Sequence, residues 1–378
     1  MIPSEPRPEP PAGIEDWART RSLLLLAATE TAAVPGISAA GATPAARRRT
    51  AAADAELVVR GPAGSRPHAL PPLPAGVSPA LISHVVLREL GLLEHLLVVD
   101  AGCPIAPAVP HLRLPCPEGQ GPARCLSSGA AMAPVRVRAL LERGRRWGAT
   151  SEPARPLLVA ECVPGGTTTA LAVLRGLGVA ADGLVSGSLR TSAHGLKSGL
   201  AARGLAAAGL APWPGRAGTA ASNDPLAVLA AVGDPMQALA AGVALGAAGQ
   251  GVTVLLAGGS QMAAVLALAL ALTPPGERQR LAARLSVATT AWVAEEPDSD
   301  LPLLLQRIGL RWGVEPRLQV ARLRFHGCSA APLRDYERGF VKEGVGAGGL
   351  ALVWERCGRS PDALARACDL ACRQMAGA

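Results

Sequence analysis

The sequence predicts an α/β protein with a mostly parallel sheet flanked by helices, and three observations carry that expectation. Short apolar runs end abruptly in turn residues: LLVVDAG (Leu96–Gly102), PLLVAE (Pro156–Glu161) and VTVLLAGG (Val252–Gly259). Each gives way to a loop rich in Gly, Pro, Thr or Ser. A helical stretch then follows, as in TTTALAVLRGLG and QMAAVLALALAL. Continuous apolar strands alternating with helices are what a sheet covered on both faces requires. In such sheets ligands bind beyond the carboxyl ends of the strands. Asp100, Glu161, Gly258 and Gly259 are therefore the first candidates for a site.

Composition bounds the rest. The chain has 378 residues, 49% hydrophobic and 17% charged, with 43 Gly and 34 Pro, enough for a large core in one or two domains. Only 2% is aromatic, so the core is built from Ala, Leu and Val. Residues 1–20 are proline-rich and charged and read as a flexible tail. Net charge is +8, which suits an anionic small substrate or a solvated basic surface. Nucleic acid is disfavoured, because the arginines are scattered and few aromatics are present to stack on bases. Eight cysteines lie without C-x-x-C pairs, and none of the six histidines forms a metal-ligand spacing. No metal site and no cofactor is expected, and reduced structural thiols point to a cytoplasmic protein. Cys368 and Cys372, one helical turn apart, read as packing.

No membrane segment is expected. LLLLAA at Leu23 is too short for a signal peptide and meets Glu30 soon after. The run from Val252 to Leu272 is interrupted by Gly258, Gly259, Ser260 and Gln261, and reads as a buried strand, a glycine turn and a buried helix.

Four elements can carry chemistry. In VAECVPGGTTTALAVLRGLG a strand ends on Glu161, Pro164-Gly165-Gly166 turns the chain, and Thr167, Thr168 and Thr169 open a helix. Backbone N–H groups at such a helix start bind anions, although an ordinary βα turn with a threonine cap fits this stretch equally well. No Lys-Ser/Thr follows the glycines, so it is not a P-loop. In SLRTSAHGLKSGLAARGL, His194 and Lys197 open a helix, where the dipole disfavours a cation unless an anion is near. AGGS (Ala257–Ser260) is a second strand-to-helix glycine turn. The fourth, VKEGVGAGG (Val341–Gly349), contains G-x-G-x-x-G from Gly344. A dinucleotide fingerprint needs a buried strand before it and a βαβ unit around it. Here the preceding LRDYERGFVKEG is charged and irregular, which counts against a dinucleotide site; the glycines at 344 and 346 let the backbone approach a ligand beside Glu343.

In this order the elements resemble the nicotinate-nucleotide:dimethylbenzimidazole phosphoribosyltransferase family, and more closely its divergent archaeal and cyanobacterial branch. A strand ending in glutamate followed by G-x-T-T is matched by Glu161 and Gly165–Thr168. An L-K helix start is matched by Leu196-Lys197, and E-G-x-G-A by Glu343-Gly344-Val345-Gly346-Ala347. The stretch DPLAVLAAVGDPMQALAAGVALGAAGQGVTVLLAGG, the upstream TETAAVPGISAAGATP and the strand VVDAG are similar too. The likeness covers most of the chain from about Leu23 onward.

The resemblance implies a Rossmann-like core over about residues 85–356, a small helical domain from both chain ends, and a homodimer, with residues 21–378 one catalytic unit. It implies transfer of phosphoribose from nicotinate mononucleotide to 5,6-dimethylbenzimidazole, giving α-ribazole 5′-phosphate and nicotinate. Glu343 would be the general base, and Glu161 would orient substrate or assist proton transfer. Gly165, Gly166, Thr167, Thr168 and Lys197 would hold the 5′-phosphate. His194, Gly258, Gly259, Ser260, Gly344, Gly346 and Asp100 complete the expected site. Two departures bear on the accepted base, a purine such as adenine included. Ala257-Gly258 stands where most of the family has Asp-Gly, and Asp100-Ala101-Gly102 where the main branch has Asp-His-Gly. An inactive phosphate-binding regulatory protein on the same fold is the alternative.

Overall fold

The computed structural model describes residues 16–115, 121–210 and 223–376. Seven strands form one sheet: β1 (Arg21–Leu26), β2 (Leu96–Asp100), β3 (Leu112–Arg113), β4 (Leu157–Cys162), β5 (Val254–Ala257), β6 (Leu285–Thr290) and β7 (Arg317–Ala321). Their order is β3-β2-β1-β4-β5-β6-β7, and every pairing is parallel. The first six positions follow the doubly wound 3-2-1-4-5-6 order, whose switch point lies between β1 and β4.

The three strands expected from the sequence are β2, β4 and β5. The LLLLAA run is neither signal nor span but β1, paired on both sides. No helix among the described residues is long and apolar enough to cross a membrane.

Strand side chains alternate between two cores, which is why the strands read as unbroken apolar runs. Leu23, Leu25, Leu157, Val159, Val254 and Leu256 face one core. It is closed by the helices Pro134–Gly148, Gly166–Gly176, Pro235–Gly249 and Ser260–Ala271. Within it Gly144 and Gly148 meet Gly242 and Gly246, and a Cβ at Gly242 would come within 2.2 Å of the Leu141 carbonyl. Small residues there let two helix backbones touch.

Leu24, Leu26, Leu158, Ala160 and Leu255 face the second core. Helices from both chain ends cover it: Thr50–Arg60 and Ala80–Glu89 from one, Ala347–Arg356 and Pro361–Ala376 from the other. Cys368 and Cys372 are buried there, and the seven cysteines among the described residues are free. The tail expected over residues 1–20 lies outside the described residues as far as residue 15; Trp17–Arg19 form a short 3-10 turn leading into β1.

Candidate active site

A cavity of about 310 Å³ opens at the carboxyl ends of β1, β4 and β5, beside the switch point. That is the lower end of the range for small-molecule sites. Most of its wall comes from six stretches, at 38–40, 73–79, 161–167, 186–188, 259–261 and 340–345, with Thr50 and Asp54 joining from the helix Thr50–Arg60.

Two glutamates stand in this wall. Glu343 is half-buried, and four donors hold its carboxylate. Oε1 accepts from the N–H groups of Gly344 (3.0 Å) and Gly348 (3.1 Å); Oε2 accepts from Thr290 N–H (2.9 Å) and Thr289 Oγ1 (3.1 Å). Burial pushes its pKa up, and these bonds oppose the shift. Glu161, 4% exposed, is pushed to about 8, first by burial, then by the charges of Glu343 and Asp234. One N–H, from Val163 at 3.1 Å, and the Gln261 side chain pull the other way. Glu343 has four donors around it where Glu161 has one N–H and one amide, so Glu343 keeps its charge the more readily and that charge helps to hold Glu161 protonated. The arrangement separates a neutral acid from a carboxylate.

The loop carrying Glu343 is strained. Val341, Lys342 and Val345 have φ of 67°, 64° and 56°, a region residues other than glycine rarely enter and β-branched valine least of all, at a cost of about 1–3 kcal/mol each. Tertiary bonds hold it there. Val345 N–H donates to the Glu161 carbonyl (2.9 Å). Ser83 Oγ donates to the Val345 carbonyl (2.8 Å), and Thr290 Oγ1 to that of Lys342 (2.7 Å). Lys342, 1% exposed, pairs with buried Glu296 and donates to the Leu189 carbonyl at 2.9 Å.

The glycines of this stretch have separate duties. A Cβ on Gly348 would lie 2.2 Å from Thr289 C and 2.5 Å from Glu343 Oε2, so only glycine leaves room for the carboxylate. A Cβ on Gly349 would lie 2.4 Å from Ala257 Cβ. Ala257 thus faces the helix Ala347–Arg356, and it is not among the cavity residues. As expected, no strand enters the motif: β7 ends at Ala321.

Three helices begin around the cavity with glycine at the N-cap and no side-chain cap: Gly165 before Gly166–Gly176, Gly259 before Ser260–Ala271, and Gly346 before Ala347–Arg356. The third turns its Gly348 N–H onto Glu343. In the first, Gly166 N–H donates to the Val163 carbonyl (2.9 Å) and Thr168 N–H to that of Gly165 (3.0 Å), so the helix start at Ser260 is the better placed of the two for a ligand anion.

Of the expected residues, Glu161, Gly165, Gly166, Thr167, Gly259, Ser260, Glu343 and Gly344 line the cavity. Thr168, Gly258 and Gly346 sit one layer behind. Lys197 is also behind the wall: it is 1% exposed, with Nζ donating to the Ser186 carbonyl (2.8 Å) and Ser192 Oγ (3.0 Å). Burial lowers it to about 8. It braces the loop whose Ser186–Ser188 line the cavity. His194 Nε2 lies 2.6 Å from the Asp298 carbonyl, outside the cavity. Asp100 caps its own turn, accepting from Gly102 and Cys103 N–H at 2.9 and 2.7 Å.

Sequence reasoning missed Lys342, Glu296, Asp54, Gln261 and the serines at 38, 186 and 188. Only Lys342 carried a signal, its position beside Glu343. No His/Cys/Asp/Glu cluster suited to a metal occurs among the described residues.

Known proteins resemble this chain at two depths. A family model described as phosphoribosyltransferase matches residues 92–293. The UPF0284 protein of Parasynechococcus marenigrum (strain WH8102) is 51% identical over 96% of this chain and 90% of its own length. That of Prochlorococcus marinus (strain MIT 9313) is 50% identical over 94% and 86%. The crystal structure of CobT from Thermus thermophilus superposes with a TM-score of 0.56 at 21% identity, covering 95% of this chain and 86% of that one. A structure of nicotinate-nucleotide-dimethylbenzimidazole phosphoribosyltransferase from the same organism gives 0.51 at 20%, covering 90% and 86%. At such identities the structures attest the shared fold, whereas the family model and the close relatives attest descent. The chain belongs to the phosphoribosyltransferase family, within its UPF0284 group of cyanobacterial relatives.

Proposed function

We propose that the protein transfers phosphoribose from nicotinate mononucleotide to a ring nitrogen of a benzimidazole-type base, releasing nicotinate and forming α-ribazole 5′-phosphate. The observation that carries this is the Glu343 carboxylate, fixed by four donors in the wall of a cavity that the uncapped helix start at Ser260 also enters.

The chemistry needs what this wall offers. Nicotinate departs from a cationic pyridinium, so its departure asks for little acid assistance. The incoming base loses its N–H proton as the new C–N bond forms, and a positioned carboxylate can take it. Both oxygens of Glu343 already accept two bonds each. Of the four donors only the Thr289 hydroxyl can turn round to accept from the protonated acid, so it can serve both states. Glu161, neutral near pH 7, is suited to donate to a ribose or base oxygen rather than to compete for that proton. The helix start at Ser260, with the Gly165–Thr167 turn beside it, would take the 5′-phosphate, and Lys197 holds the Ser186–Ser188 loop nearby. Leu73, Pro74, Val77, Pro79 and Val341 give the cavity an aliphatic side for a flat base.

The test is direct: incubate the protein with nicotinate mononucleotide and a panel of bases and follow released nicotinate by chromatography. Base-dependent release supports the reading. Binding of the nucleotide without release would favour a regulatory protein on this fold.

A further inference from the structure

Phe340 is one of two phenylalanines in a chain that is only 2% aromatic. The other, Phe325, is buried in a cluster with Trp292 and Tyr336, with ring centroids between 4.8 and 5.4 Å apart. Phe340 joins neither apolar core. It is half-buried, and it is the one aromatic side chain among the described residues that line the cavity. An aromatic ring normally stabilises a fold by burial in a core, so a phenylalanine held in a cavity wall and outside both cores is free to pack on a ligand.

Its place in the wall is fixed. Phe340 N–H donates to the Asp335 carbonyl (3.1 Å), and the Phe340 carbonyl accepts from Lys342 N–H (2.8 Å). The same stretch is fastened to the loop at 73–79. Gly76 N–H donates to Asp335 Oδ2, and the Tyr336 hydroxyl donates to the Val77 carbonyl, both at 2.8 Å. A Cβ on Gly76 would lie 2.7 Å from Val341 Cγ2, so the two segments touch. The Arg338 guanidinium lies over the Phe340 ring, 5.9 Å from its centroid, at the outer limit of a cation–π contact. The ring thus belongs to the apolar side of the cavity, three positions before Glu343. A base whose N–H meets the Glu343 carboxylate lays its flat ring along this side. Aliphatic neighbours offer such a ring burial alone, whereas an aromatic face adds stacking.

We infer that Phe340 is a specificity-determining residue: its ring stacks on the flat acceptor base and favours fused bicyclic heterocycles over single rings. The inference rests on the phosphoribosyl reading above and adds to it the residue that recognises the base by its π-face. Every benzimidazole has such a face, so stacking selects the class of base and tolerates its substituents.

The experiment follows nicotinate release at saturating nicotinate mononucleotide in wild type, Phe340→Leu and Phe340→Trp. It yields the KM for benzimidazole and the inhibition constant of imidazole against it, and calorimetric titration gives the nucleotide affinity of each protein. Leucine keeps an apolar side chain and removes the π-face. In Phe340→Leu the benzimidazole KM should rise roughly 5- to 20-fold more than the imidazole constant, with kcat changing far less. Phe340→Trp, which restores a π-face, should lie nearer to wild type than Phe340→Leu does. Equal changes for the two bases, or a loss confined to kcat, overturn the inference and leave the phosphoribosyl reading standing. A parallel loss of nucleotide affinity also overturns it, because it marks a structural role for the ring. Wild-type protein that releases no nicotinate with any base overturns the reading, and the inference with it.

Discussion

The backbone N–H of Val345 donates to the carbonyl of Glu161 at 2.9 Å. This one bond ties the strained loop of Glu343 to the end of β4, so the two carboxyl groups are set by a common piece of backbone. Each raises a demand on the other, because the charge on Glu343 helps to keep Glu161 protonated. The strain at Val341, Lys342 and Val345 persists because Ser83, Thr290, Glu296 and the Leu189 carbonyl all hold the loop.

Breaking one of those holds should release the loop. Lys342→Met leaves Glu296 buried and charged without its cation. Stability to urea should fall by about 3–5 kcal/mol, the range for breaking one side of a buried pair. Lys342→Met combined with Glu296→Gln should recover part of that loss. Additive losses in the double variant would show that the pair is not coupled.

Gly348 meets the carboxylate directly. Gly348→Ala places a methyl 2.5 Å from Glu343 Oε2 and closer still to Thr289 and Thr290 backbone atoms. Turnover should drop by at least about 10²-fold, as expected when a general base is displaced. Gly358→Ala, with open space around its Cβ position, supplies the control at a site of positive φ. Equal activity of the two variants would remove the steric argument.

Stability should depend on pH with a definite sign. Glu161 sits at about 8 when folded against 4.5 for the free group, and Asp54 and Asp234 at about 6 against 3.8. The folded chain thus binds more protons than the unfolded one between those limits, so their stabilising protonation is lost as pH rises from about 4 to 8. Lys197, lowered to about 8, acts in the opposite direction only above that pH. Denaturant titrations at pH 5 and pH 8 should show lower stability at pH 8. Glu161→Gln should flatten the decline by a few kcal/mol at most. A wild-type protein more stable at pH 8 than at pH 5 would contradict the assignment.

Much of the fold was legible because β2, β4 and β5 are apolar on both faces and end on glycine or acidic turns. β7, RLQVA, is half polar and lies at a sheet edge, so no apolar run announces it. β6, LSVATT, ends in threonines that serve the site rather than the core. Glu161, Glu343 and the Gly165–Thr167 loop were readable because each sits at a strand end or helix start. Lys197 was readable as a helix-start cation, but its burial behind Ser186 was not, since the covering loop is distant in pattern. Glu296, Asp54 and Gln261 reach the site only through tertiary packing, and their local sequence carries no period or spacing that marks them.

The aliphatic side of the cavity should discriminate loosely between flat heterocycles. An apolar slot separates similar shapes by about 1–3 kcal/mol, so several benzimidazoles should react, with adenine detectable. Rates measured across a base panel would contradict this if a single base alone were used.

The most direct measurement is turnover of Glu343→Gln beside Glu161→Gln, with nicotinate mononucleotide affinity determined for both. Glutamine keeps the reach of the side chain but cannot take a proton. For Glu343→Gln the account predicts kcat lower by about 10²–10⁴-fold with nucleotide affinity nearly unchanged, and a smaller loss for Glu161→Gln. Near-wild-type turnover in Glu343→Gln together with an inactive Glu161→Gln would place the base on the other glutamate.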